Sequence, residues 1–137
     1  MLLLDSEAIS AFAHGPDSRR DRVRALMVQM RRRDLPIGTA GAVLAEVIRG
    51  RPSDAGVFSG LRRERVQVYP IDSQVGVRAG ELLGQSGRSS ADAVDAFLVA
   101  VADLRGGAVI ATVDVDDIGR FAVLASGVQV ADIAGSA

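Results

Sequence analysis

Short apolar runs and longer amphipathic stretches alternate along this chain. Leu2 to Leu4 is too short an apolar run for a helix and stops at Asp5 and Ser6, which predicts a short buried strand feeding a capped helix from Ser6 to about Ala13. His14, Gly15, Pro16 and Asp17 break that helix. From about Ser18 to Arg33, Val23, Leu26, Met27 and Met30 form one stripe with arginines largely around it, the pattern of an amphipathic helix. Leu35 to Thr39 predicts a second strand, Ala42 to Arg49 a helix closed by Gly50 and Pro52, and Asp54 to Glu64 a weaker helix carrying Gly56 and Gly60.

Arg65 to Tyr69 alternates as a strand does, and Asp72 caps a helix running to about Gln85. After a loop at Gly87 to Ser90, the strongest helix opens at Ser89 to Asp92 and runs to about Leu104, ended by Gly106 and Gly107. Ala108 to Val113 predicts a buried strand, Asp114 to Phe121 a turn or short helix, and Val128 to Val130 a closing strand. Strands separated by helices predict an α/β fold: a central, mainly parallel sheet of four to five strands with helices on both faces. No repeat or linker interrupts the pattern, so residues 1–137 are expected to form a single domain, as the length of 137 residues also suggests.

Composition narrows the chemistry. There is no Cys, one His and no Lys, since all 16 basic residues are arginines. Disulfides, thiolate metal sites, Schiff bases and a phosphate-loop lysine are thereby excluded, and a Ser-His-Asp triad would have to pass through His14. Asp, Glu, hydroxyls and Arg remain. The net charge of −1 conceals a segregation: residues 1–17 sum to −3, residues 18–65 to +7 and residues 66–137 to −5. A basic middle with an acidic C-terminal half suits a polyanion drawn to a positive surface beside an acidic centre, although arginines on a helix are ordinarily a solvated face. No apolar run is long enough to span a membrane and no targeting segment is visible, so a cytoplasmic protein is expected.

The acids then fall into a pattern. Ligands of open parallel sheets bind outside the carboxyl ends of strands, and Asp5 and Asp114 follow two such ends, with Thr112 just before the latter. On the helix near Ala91, Val94, Phe97, Leu98, Val101 and Leu104 form the expected buried stripe. Asp95 lies at its margin, with Asp92 and Asp103 on the far side. Glu46 lies opposite the apolar stripe of Val43, Leu44, Val47 and Ile48. Each has a plain structural alternative: an Asp after a strand caps the next helix, and a Glu opposite a stripe is simply solvated.

The ordered set of Asp5, Glu46, Asp95 within Asp95 to Ala100, and Thr112 to Asp117 resembles the PIN domain, over essentially the whole chain. Length and start look most like the VapC toxins of bacterial toxin–antitoxin pairs. Ile118 departs from the pattern, since many members have Phe there. The resemblance implies a PIN-like three-layer fold and four acidic positions matched by Asp5, Glu46, Asp95 and Asp114, with Asp116 or Asp117 as a further acid. It also implies endonucleolytic hydrolysis of RNA leaving a 5′-phosphate and a 3′-hydroxyl, a cognate VapB-type antitoxin that blocks the cleft with an Arg, and a homodimer.

All-oxygen ligands favour Mg²⁺ or Mn²⁺, expected on Asp5, Asp95 and Asp114, with Asp116 or Asp117 and Glu46 serving a second metal or the attacking water. Thr112 and Ser6 are candidate orienters of these acids, and the Arg19 to Arg33 helix a candidate guide for RNA phosphates or acidic parts of an antitoxin. A receiver-like domain is disfavoured by the missing Lys, and a haloacid-type phosphatase by the motif's place in the chain. The serious rival is a catalytically inactive PIN-like module that binds RNA or protein without cutting.

Overall fold

The computed structural model describes residues 1–134. In chain order it comprises β1 (Leu2–Leu4), α1 (Ser6–His14), α2 (Asp17–Arg32), β2 (Ile37–Ala40), α3 (Gly41–Val47), α4 (Asp54–Arg63) and β3 (Gln67–Tyr69). These are followed by α5 (Ser73–Ser86), a 3-10 turn (Ser90–Asp92), α6 (Ala93–Leu104), β4 (Ala108–Thr112), α7 (Val115–Ala122) and β5 (Val128–Asp132).

The five strands form one sheet in the order β3-β2-β1-β4-β5, and every pairing is parallel. The expected α/β architecture is therefore present, with a wholly parallel sheet. Leu2, Leu3 and Leu4 are completely buried, as a central strand covered on both faces requires. Crossovers between parallel strands are right-handed, so the steps β1 to β2 to β3 put α1 to α4 on one face, and the return through β4 to β5 puts α5 to α7 on the other. The packing agrees: α1 lies against α2, α3 and α4, while α6 lies against α5 and α7. Strand order reverses between β1 and β4, whose following segments leave in opposite directions and open a crevice at their carboxyl ends.

Strands β2 and β3 start two residues later than the hydrophobic pattern predicts, for one shared reason. Asp34 and Arg65 adopt left-handed backbone (φ 55 and 52), and the residues after them, Leu35 and Val66, donate back to the carbonyls of Met30 and Leu61. These residues finish α2 and α4 in Schellman-type caps before the chain becomes extended.

The α6 stripe also differs. Ala96, Leu98, Val99, Ala100, Val101 and Ala102 are buried around most of the helix, Val94 and Phe97 are half-buried, and Leu104 is 48% exposed. Small alanines let α6 be enclosed by the sheet, α5 and α7 together, so burial is not confined to one stripe. On β2, a Cβ at Gly38 would lie 2.5 Å from the Tyr69 ring, so that ring lies directly against bare backbone.

Candidate active site

Asp5 is delivered by β1 and is 6% exposed. Its carboxylate caps α1, accepting from the Ala8 amide at 2.8 Å, while its own amide donates to the Ala111 carbonyl of β4. The expected capping at this helix is thus performed by Asp5, and Ser6 is already the first helical residue. Burial pushes the Asp5 carboxyl up to about 6, opposed by hydrogen bonds from Thr112 and Ala8 and reinforced by the charges of Glu7 and Asp114.

Asp114 stands at the cap position of α7, yet its side chain makes no cap hydrogen bond. Its amide donates to the Thr112 hydroxyl oxygen at 2.9 Å, and the same hydroxyl bonds to Asp5. Thr112, fully buried at the end of β4, therefore links the two strand-end acids.

Asp95 sits half-buried in the first turn of α6. Burial pushes its carboxyl up to about 6, aided by the charges of Asp5, Glu46, Asp117 and Asp92 in that order. Glu46 is exposed on α3, and α3 touches α6 from the opposite face of the sheet. Asp5, Glu46, Asp95, Asp114 and Asp117 are thus within one electrostatic neighbourhood, drawn from four segments: the end of β1, α3, α6 and the start of α7. Asp117 is among the acids acting on Asp95; Asp116 is exposed in the first turn of α7.

Such a group is frustrated without a cation, because two of its carboxyls are already forced toward the neutral form. The donors are all oxygen, which suits a hard divalent ion. Among the described residues no three acids are grouped closely enough to ligate one ion together.

Other charged residues have separate work. Asp103, on the far side of α6, accepts from Arg78 Nε at 2.7 Å and from the Ser126 amide at 3.1 Å, joining α5, α6 and the loop before β5. Asp54, 8% exposed, accepts from the amides of Arg49, Gly50 and Arg51; burial works against its charge, but these bonds outweigh it and hold the carboxyl below its ordinary value. Arg19 lies 3.8 Å from Glu7, beside the acids, whereas Arg31 pairs with Glu64 toward the other end of α2. His14, the last residue of α1, is exposed.

Two residues escaped the sequence reading. Thr39 is fully buried on β2 and donates its hydroxyl to the Leu4 carbonyl at 2.7 Å, immediately before Asp5; a hydroxyl at the end of an apolar strand was its only signal. Arg88 reaches within 3.8 Å of Asp117, a pairing between distant segments that left no trace in local pattern.

No helix among the described residues is long and apolar enough to cross a membrane. The family model of the PIN domain matches residues 2–124. Among curated proteins no relative matches the chain. Among solved structures, VapBC2 from Rickettsia felis, bound to a DNA fragment from their promoter, is similar at a TM-score of 0.68 and 15% identity. The alignment covers 96% of this chain and 97% of that one. DNA-bound VapBC from Salmonella typhimurium is similar at a TM-score of 0.64 and 18% identity, with the same coverage of both chains. At such identities the likeness speaks for a shared fold.

Proposed function

The chain belongs to the PIN domain family, and from that premise we propose that it is a metal-dependent endoribonuclease of the VapC toxin type, neutralised by a cognate VapB-type antitoxin. The observation that carries this reading is the pair Asp5 and Asp95, two acids from different segments whose carboxyls burial and shared charge push up to about 6 beside the strand-order reversal. The similar VapBC structures support the toxin assignment and a VapB-type partner, and a cytoplasmic homodimer belongs to the same reading as its working context.

In this reading Asp5, Asp95 and Asp114 hold Mg²⁺ or Mn²⁺, directly or through water, and Glu46 with Asp117 or Asp116 orients the attacking water or a second ion. When bound, the cation offsets the acids' mutual repulsion, lowers the pKa of water and neutralises charge on the phosphoryl oxygens. Thr112 keeps Asp5 and Asp114 in a fixed relation through its single hydroxyl, and the α1 cap prevents Asp5 from rotating away. The arginines of α2, of which Arg19 lies nearest the acids through Glu7, are the cations this reading assigns to RNA phosphates. With few aromatics, recognition rests on phosphate and shape, and hydrolysis leaves a 5′-phosphate and a 3′-hydroxyl.

One observation favours a second reading, an inactive PIN-like module that binds RNA or protein: no three described acids are grouped for joint ligation. Incubating the purified protein with total RNA, with Mg²⁺ or Mn²⁺ and with chelator, separates the two. Cleavage that needs the ion and disappears in Asp5→Asn and Asp95→Asn is the expected result. Products unchanged by chelator overturn the metal mechanism, and RNA retention without cleavage under any divalent ion establishes the binding module.

A further inference from the structure

Beside the acids stands a pair of arginines with an unusual arrangement. Gly87 closes α5 in left-handed conformation (φ 71), and Arg88 directly follows it. Arg88 brings Nη2 to 3.8 Å from Oδ1 of Asp117, and Arg120, one turn further along α7, brings Nη1 to 3.8 Å from the same oxygen. Two guanidiniums from different segments thus converge on one carboxylate oxygen. Side-chain exposures of 31% for Arg88, 51% for Arg120 and 54% for Asp117 leave all three within reach of a ligand. Asp117 is one of the acids acting on Asp95, which puts the pair at the border of the candidate site.

We propose that Arg88 and Arg120 form a clamp for an RNA phosphate at the α7 wall of the site, with the Asp117 carboxylate holding that place in the free protein. The proposal deepens the ribonuclease reading and rests on it for the identity of the polyanion. Several carboxylates in one crevice repel a phosphate backbone, and without a bound metal ion a strand is seated there by cations at the border. Guanidinium is the group whose fork of donors matches phosphate oxygens. Ion pairs as open and as long as these are weak, so Asp117 is displaced at small cost. Arg78 and Arg31 contrast with them. Arg78 donates closely to Asp103 and to the Leu124 carbonyl, and Arg31 to the carboxylate and carbonyl of Glu64, which commits both to holding elements together.

The test is fluorescence anisotropy of a labelled single-stranded RNA of about 12 nucleotides with the full chain in EDTA, titrated across NaCl concentrations. Arg88→Ala is expected to weaken binding about five-fold and to lower the slope of log Kd against log salt by about 0.7, the signature of one lost phosphate contact on a single strand. Arg120→Ala acts in the same direction, and carries the test if Arg88→Ala does not fold. Asp117→Asn is expected to tighten binding when Arg88 is present, and to lose that gain in the Asp117→Asn, Arg88→Ala double variant. An unchanged Kd and slope in both folded Arg variants overturns the clamp. So does a wild-type chain that binds no RNA, or equal tightening by Asp117→Asn in both backgrounds, which would make Arg88 a brace for α7. Binding is read without metal and without cleavage, so failure here leaves the nuclease reading standing, and absence of cleavage leaves this result interpretable.

Discussion

Thr39 and Leu4 are joined by a 2.7 Å hydrogen bond from hydroxyl to carbonyl, with both residues completely buried. The bond ties β2 to β1 at the last residue before Asp5, so the backbone that delivers a candidate site carboxylate is held by a side chain that never meets solvent. Thr39→Val keeps the shape and leaves the Leu4 carbonyl without this donor. It is expected to lower stability by about 1–2 kcal/mol, seen as a shifted urea midpoint at unchanged slope. Cleavage should fall with it in conditions where the variant is fully folded. A wild-type midpoint and wild-type cleavage together would show that Thr39 positions nothing.

The acids set a pH dependence in the metal-free protein. Asp5 and Asp95 have folded-state pKa values of about 6, above the ordinary 3.8, so between these values the folded chain binds more protons than the unfolded chain. Stability from this source is therefore complete below about pH 3.8 and is lost as pH rises through 6, the reverse of an ion-paired carboxylate. Asp5→Asn is expected to raise stability at pH 7.5 by on the order of 2 kcal/mol and to flatten the profile between pH 4 and 7. Denaturant titrations of the chelated protein across that window check it; a profile rising over the window in wild type would contradict the sign.

Divalent ions should reverse that loss. Mn²⁺ at about 100 times its Kd stabilises a folded state that alone binds it by about 2.7 kcal/mol. Thermal melts at pH 7.5 are expected to shift upward with Mn²⁺ or Mg²⁺ in wild type, and hardly at all in Asp95→Asn. An equal shift in both would place the ion elsewhere.

Asp103 gives a control on the same helix as Asp95. The Arg78 guanidinium and the Ser126 amide hold its carboxyl below the ordinary range against the effect of burial. Asp103→Ala is expected to cost about 1–2 kcal/mol of stability through the released Arg78 and the unpaired amide, while cleavage per folded molecule is retained. Loss of cleavage in a folded Asp103→Ala protein would mean that the two faces of α6 are coupled.

Much of this arrangement was legible because its signals are local. A carboxylate directly after an apolar strand, as at Asp5 and Asp114, and a carboxylate at the margin of a helix stripe, as at Asp95, are read from neighbours in sequence. What was not legible depends on partners far along the chain or on backbone choices that residue type conceals. Asp34 and Arg65 take left-handed conformations usually given to Gly or Asn, so residue type alone assigns Leu35, Arg65 and Val66, which belong to helix caps, to strands. Leu104 has the spacing of a buried residue but is the last residue of α6, and it lines an open groove with Ser73, Gln74 and Val77 of α5 instead of entering the core. The Arg88–Asp117 pair and the Thr39–Leu4 bond join separate elements, and only the folded sheet brings them together.

The adjacency of β1 and β4 has a consequence for synthesis. β1 is made before the other strands of the sheet, but its neighbour on that side is made only after a further hundred residues or so have been added. A growing chain that has exposed Asp5 and Glu46 still lacks Asp114 and Thr112, and with them the second wall of the crevice. Whatever chemistry the acids perform together is therefore withheld until the segment that carries Thr112 and Asp114 has been added and has paired with β1.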